Sequence, residues 1–386
     1  MAAEVLAGLT IETVSWDHPD AVRLRTEQQR EIDLRYAEPG APSNDDGLPV
    51  PDGRDQVDPS NVFATLLLRV DGEPAAHAAA RDLSGRDDYR GGRHPEGTGE
   101  VKRVYVAPGF RGRGLSRTLM EAVEDVARAA GVRHLVLESG LMQPESLGLY
   151  LRMGYDPVES FGVFSDEPGS RCFGKWLVPG PDGEPARREG EGSSPVVELR
   201  EVPWADPDAV ALRRAMWEFH QERYPEMARD VAARGGHEAV DAERGRSALA
   251  TLVATVDGRP AGCATLAVAQ AGPEHLTADP LRGVAGLVAA SATTAGPVAA
   301  ADSRGFEMRG VFVEPAARRA GVATALVRQV EAEARRRGGL ALFLGTGIRQ
   351  PEALRLYVGL GYRPVLPYPP HDTPDDPLLL FLAKPL

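Results

Sequence analysis

The chain has 386 residues, 42% hydrophobic and 26% charged, enough for two ordinary domains with cores of their own. A formal net charge of −12 lacks the basic footprint of a nucleic-acid binder, so no nucleic-acid partner is expected. The two cysteines, Cys172 and Cys263, give neither a disulfide framework nor a zinc spacing, which fits a reducing, cytoplasmic compartment.

The N-terminus shows no basic segment followed by a long apolar run, so no signal peptide is read there. No stretch of 18 or more apolar residues is present, and no membrane partner is expected.

Residues 21–36 have a helical pattern with Val22, Ile32 and Leu34 among many charges. Residues 63–70 form a short apolar run, and Asp71-Gly72 is a hairpin signal leading to a strand at 74–80. A further strand is expected at 101–106. From 115 to 130, Leu115, Leu119, Val123, Val126 and Ala130 fall on one stripe of a helix, which Gly131 ends. A strand at 134–137, a short helix at 144–153 and a strand at 172–177 follow. Residues 179–195 are rich in Pro, Gly, Glu and Ser and read as a linker.

The rest of the chain then repeats the first part. Trp16, Pro19 and Asp20 recur as Trp204, Pro207 and Asp208, and Arg35-Tyr36 as Arg223-Tyr224, each 188 residues on. Glu100, Val106, Pro108, Arg111 and Gly114 recur 207 residues on as Glu307, Val313, Pro315, Arg318 and Gly321. QPESLGLYLRMGYDPV at 143–158 matches QPEALRLYVGLGYRPV at 350–365. The second copy carries about 21 extra residues, mostly an Ala/Gly-rich insertion at 283–301. The alternation of strands and helices in each copy indicates an α/β (α+β) class.

The informative element is a strand, a tight Gly/Arg bend and a helix start: Val104, Tyr105, Val106, then Arg111, Gly112, Arg113, Gly114, Leu115 and Ser116. A helix N-terminus presents unpaired N–H groups and partial positive charge, and glycines let the main chain approach a ligand. A pyrophosphate is the natural occupant. The second copy has Val311, Phe312, Val313, Arg318, Arg319, Ala320, Gly321, Val322 and Ala323 in the same frame. There is no Gly-Lys-Ser/Thr of a P-loop, and GRGLSR lacks the last glycine of the dinucleotide fingerprint. A surface turn with solvated arginines is the competing reading, and the recurrence of the flanking strand and helix argues against it.

The frame V-x-P-x-x-R-x-x-G-x-(G/A/S) at 106–116 and 313–323, with LY-x-x-x-GY at 149–155 and 356–362, resembles the cofactor motifs of the GNAT superfamily of N-acetyltransferases. The resemblance implies two tandem GNAT domains at 8–178 and 196–386, joined by 179–195. Each would hold a mixed, mostly antiparallel sheet with splayed central strands flanked by helices. It implies acetyl-CoA as acetyl donor: its pantetheine on the backbone of Val104, Tyr105, Val106, Val311, Phe312 and Val313, its pyrophosphate on the two bends. It implies Tyr150 and Tyr357 as the acid that protonates the leaving thiolate, and Glu100 and Glu307 as the base. The acceptor is expected to be the primary amine of a small molecule. A peptide amine, or a duplicated acetyl-CoA-binding module with one or both halves inactive, are the alternatives. Tandem acetyltransferases of this kind need not have equally active halves.

Gln143 and Gln350 stand where many family members have Asn, Ser116 replaces a small residue but offers a capping hydroxyl, and Ala320 leaves the second bend one glycine. Arg35, Tyr36 and residues 161–171 are candidates for the acceptor pocket. His77, His94 and His371 show no metal spacing, and no metal is expected.

Overall fold

The computed structural model describes residues 8–36, 57–165, 167–178, 196–276, 305–369 and 377–386. The proposed linker at 179–195, the insertion at 283–301 and His371 lie outside the described residues.

The N-terminal half is a seven-stranded sheet in the order β1-β2-β3-β4-β5-β7-β6. Its elements are β1 (Leu9–Val14), α1 (Pro19–Arg35), β2 (Val62–Val70), β3 (Glu73–Asp82), β4 (Thr98–Val106), α2 (Leu115–Ala129), β5 (His134–Gly140), α3 (Pro144–Arg152), β6 (Asp156–Val158) and β7 (Ser170–Trp176). The C-terminal half repeats this with β8 (Val197–Val202), α4 (Pro207–Arg223), β9 (Ala248–Val256), β10 (Arg259–Val268) and β11 (Gly305–Val313). It continues with α7 (Val322–Arg336), β12 (Ala341–Gly347), α8 (Pro351–Gly359), β13 (Arg363–Pro364) and β14 (Leu379–Pro385). Between α4 and β9 it carries two short helices, α5 (Met227–Ala233) and α6 (His237–Gly245), which no marked periodicity announces.

Among the described residues every strand pair is antiparallel except one in each half. β4 and β5 run parallel from Thr98 opposite His134 to Val101 opposite Leu137, and there the pairing stops although β4 continues to Val106. β11 and β12 pair from Gly305 opposite Ala341 to Glu307 opposite Phe343, and β11 runs on to Val313. The two central strands therefore part, so that beyond Val101 and Glu307 the edges of β4 and β11 on that side have no paired strand among the described residues. A bulge sets the divergence in each half. The β3–β4 register slips between His77 and Ala79, opposite Arg103 at φ +59°, and the β10–β11 register slips between Cys263 and Thr265, opposite Gly310 at φ +60°.

Helices cover both faces of each sheet. Cys263 packs with Leu212 and Met216 of α4. A Cβ on its neighbour Gly262 would meet Val322 and Leu326 of α7. Adjacent strand residues point to opposite faces, so α4 and α7 lie on opposite sides. The expected stripe of α2 is buried at Leu115, Leu119 and Val123, with Met120 and Ala127 beside it.

Candidate active site

Both glycine-and-arginine bends are exposed. Gly114 (φ +78°) is the N-cap of α2 and Gly321 (φ +80°) that of α7, and neither helix start receives a side-chain capping hydrogen bond. The Ser116 hydroxyl thus does not cap the helix, because it stands inside the first turn rather than before it. Gly112 is also left-handed, at φ +77°. A Cβ added at Gly112, Gly114 or Gly321 would meet nothing within 4 Å, so open space lies in front of these main-chain groups. In the second bend Arg319 occupies the position of Gly112 and adopts φ +68°, a left-handed conformation that costs a side-chain-bearing residue roughly 1–2 kcal/mol.

The arginines do more than the sequence suggests. Arg111 is folded back: its Nε donates to the carbonyl of Val106 (2.9 Å), and its guanidinium pairs with Glu31 of α1 (2.5 Å). Glu31 also pairs with Arg35 (2.6 Å). The C-terminal counterpart of Glu31 is Phe219, whose ring takes Arg318 at 4.7 Å and Arg223 at 4.4 Å. Arg318 keeps the bond to the strand, donating to Val313 O at 3.3 Å. One half solves the same geometry with ion pairs to two arginines, the other with a ring that two guanidinium groups contact. Arg113 rests over Phe110 and donates to Gly109 O, while Ala320 replaces it in the second bend.

On β4, the carbonyl of Val104 accepts from Gln28 of α1 (3.0 Å), and the ring of Tyr105 lies under Arg111. On β11, Phe312 is buried among Leu212, Met216 and Cys263, with Val311 and Val313 half-buried on either side.

Tyr150 and Tyr357 project from α3 and α8 and are 5% and 6% exposed. Tyr150 packs against Tyr155 and Phe173, Tyr357 against Tyr362. Burial raises both hydroxyls above the usual tyrosine range, and at Tyr150 the charges of Glu138 and Glu145 raise it further. Both phenols therefore stay protonated through neutral pH. Tyr155 and Tyr362 each stand beside a lysine, Lys175 or Lys384, that is paired with Glu124 or Glu331 of the preceding long helix.

Glu100 is fully buried in the paired part of β4. One carboxylate oxygen takes Arg81 at 2.5 Å; the other, Oε1, accepts no hydrogen bond and lies 3.6 Å from Lys102 Nζ. Glu307 is 6% exposed and takes both Nε and a terminal nitrogen of Arg309 (2.8 and 2.5 Å).

Arg35 and Tyr36 tie the end of α1 to the turn after β5. Arg35 pairs with Glu145 (2.5 Å) and donates to Met142 O, and the Tyr36 hydroxyl accepts from Met142 N (3.3 Å). Arg223 and Tyr224 repeat this, with Glu352 (2.6 Å), Arg349 O and Arg349 N (2.9 Å). Within 161–171, Phe161 joins a core cluster with Leu83, Val136 and Cys172, and Arg171 is 1% exposed with the carbonyls of Pro168 and Ser170 as acceptors. Glu138, whose charge is felt at Tyr150, has no counterpart in the repeat, because Gly345 stands in its place; that break in the repeat is the sequence signal that marks it. His77 is buried between Arg25 and the Arg103 carbonyl, and burial pushes its pKa down to about 4. Among the described residues no group of three or more His, Cys, Asp or Glu side chains is disposed to hold a metal ion, and no helix is long and apolar enough to cross a membrane.

Known proteins resemble parts of this chain. A stretch of 81 residues is 43% identical to an IAA acetyltransferase of Azospirillum brasilense, covering 21% of this chain and 53% of the relative. Another of 99 residues is 29% identical to an aminoglycoside N(6')-acetyltransferase type 1 of Stenotrophomonas maltophilia, covering 26% and 63%. The chain thus spans between half and two thirds of the length of these relatives. A solved acetyltransferase from Streptococcus agalactiae aligns at 16% identity and a TM-score of 0.32, over 44% of this chain and 98% of that one. The profile of the acetyltransferase (GNAT) family matches residues 28–155 and again 209–362. The chain belongs to the GNAT acetyltransferase family and carries its domain twice.

Proposed function

We propose that this protein is an acetyl-CoA-dependent N-acetyltransferase acting on the primary amine of a small molecule, with domains at 8–178 and 196–386 joined by 179–195. The observation that carries the reading is the duplicated helix start. In each half an uncapped helix N-terminus sits behind a left-handed glycine, faces open space, and adjoins a strand that has left its neighbour. Such a cradle fits a diphosphate, held by the main-chain N–H groups of 112–116 or 319–323. Arg111 and Arg318 brace the bends by gripping the carbonyls of Val106 and Val313. The freed edges, Val104 to Val106 and Val311 to Val313, offer main-chain groups to the pantetheine.

When bound, acetyl-CoA supplies the thioester whose carbonyl carbon the amine attacks. Within the chain, Tyr150 or Tyr357 keeps its proton on the phenol oxygen and delivers it to the departing sulfur. Glu100, through Oε1 and a water, accepts the proton that the amine loses; Glu307 has the corresponding place in the second half. N–H groups of the parted strand would be the donors that stabilise the developing oxyanion. The names of the relatives, one of them an N-acetyltransferase, support a small-molecule acceptor. The two free, buried thiols support a cytoplasmic setting.

The test is release of free coenzyme A thiol over a panel of amines and peptides. Release with small primary amines is the expected result. Binding of acetyl-CoA without release with any acceptor would replace this reading with that of a non-catalytic module.

A further inference from the structure

The deepest difference between the halves lies at one position in the parted sheet. Glu138 is the first residue of β5 beyond the last pair with β4, Leu137 opposite Val101. Its partner on the other side is Cys172 of β7. It therefore flanks the gap, on the face that carries Glu100, Val136 and α1. Its Oε1 accepts from the Ser170 hydroxyl at 2.7 Å, and it is partly exposed. Tyr150 approaches from the other face, packed on Phe173, the neighbour of Cys172. The Glu138 charge is felt at Tyr36, Tyr150 and Cys172 alike, adding in each case to the larger effect of burial.

The C-terminal half has none of this. Gly345 stands for Glu138 and faces Phe381 where Glu138 faces Cys172. Ser170 and Arg171 become Leu379 and Leu380 by the same register. Phe381 packs with Phe343 and Tyr368 in an apolar cluster. Burial alone raises Tyr357.

We infer that Glu138 receives the protonated amine of the acceptor at the mouth of the N-terminal cleft, and that the C-terminal half, with Gly345 there, has no such recognition. The inference rests on the N-acetyltransfer reading and names the charge state in which the acceptor arrives: a cationic amine, held beside the proton-accepting Glu100 and the proton-donating Tyr150. A carboxylate at the edge of a gap, partly screened from water, attracts an ammonium more strongly than one on an open surface. Glu138 makes and breaks no covalent bond in this role.

The experiment separates binding from turnover. A monoamine, a diamine and an aminoglycoside are titrated calorimetrically into the full chain saturated with coenzyme A, which cannot react. The same acceptors are then followed by thiol release with acetyl-CoA. Glu138→Gln is expected to abolish one amine site per chain or weaken it about tenfold or more, and to raise the acceptor KM similarly. The acetyl-CoA dissociation constant should stay unchanged, and Glu138→Asp should recover most of the loss. Unaltered amine binding and KM in Glu138→Gln overturn the inference, as does an absence of any amine binding to the unsubstituted chain. Amine binding lost in Glu138→Gln while the unsubstituted chain releases no thiol upholds the recognition site and overturns the transferase reading instead.

Discussion

The hydroxyl of Tyr36 occupies the space that a Cβ on Gly140 would need, and the hydroxyl of Tyr224 does the same above Gly347. The last residue of β5 or β12 is glycine because a tyrosine from the end of the first helix of each half is seated on it. Gly140→Ala is therefore expected to push the ring aside and destabilise the N-terminal half by about 1–3 kcal/mol, as overpacking does. In a Tyr36→Ala background the same change should cost much less. Chemical denaturation of the four variants gives the coupling directly; equal costs in both backgrounds would refute the steric account.

Tyr150→Phe and Tyr357→Phe remove the phenol proton and little else, since both rings are packed. Turnover in the affected half should fall by about 10²–10⁴-fold, with the acetyl-CoA dissociation constant nearly unchanged. If single and double substitutions all leave kcat intact, the acid is another group.

Gly114→Asp places a carboxylate in a left-handed position at the helix start, where it repels a phosphate and strains the backbone by roughly 1–2 kcal/mol. Calorimetric titration with acetyl-CoA should drop from two sites to one, and Gly321→Asp should remove the other. Two sites persisting in either variant would place the diphosphate elsewhere.

Arg319 holds a positive φ that its counterpart Gly112 adopts without strain. Arg319→Gly is expected to stabilise the C-terminal half by about 1 kcal/mol, less what the freer unfolded chain takes back. A urea midpoint that falls would show that the arginine side chain contributes more than its backbone costs.

His220 is half-buried next to Arg244 and Arg223, with Gln350 as hydrogen-bond partner; its partial burial first, then those charges, push its pKa down to about 4. His77 behaves likewise, facing Arg25 and Arg103. Both are neutral when folded, whereas the unfolded chain protonates near 6.5, so the unfolded state binds more protons between those values. Stability should rise with pH from about 4 to about 6.5 and be retained above. Denaturation midpoints across that window, compared with His220→Asn, check the sign; the variant should show a shallower slope.

Much of this site was legible because it is made of local backbone requirements. Left-handed glycines before a helix, and a tyrosine at fixed spacing from a glycine turn, leave marks within a dozen residues. The roles of Arg111 and Tyr36 were not legible in the same way. Their partners, Glu31 and Gly140, lie 80 and 104 residues away and meet them only after the sheet has formed. The substitution of Phe219 for Glu31 hides the correspondence further, since a ring and a carboxylate look unrelated until both are seen holding two arginines. The edge strands β1 and β8 escaped notice because LTIETV and VELREV are short and carry charge.

A helix that begins without a cap also ties the stability of its half to any anion it holds. Any anionic metabolite that settles on the bare amides of α2 or α7 adds RT ln(1 + [L]/Kd) to the folding free energy of that half, about 2.7 kcal/mol at a hundredfold excess over Kd. Resistance to heat and to proteolysis would then rise with the concentration of that anion, whether or not product is made.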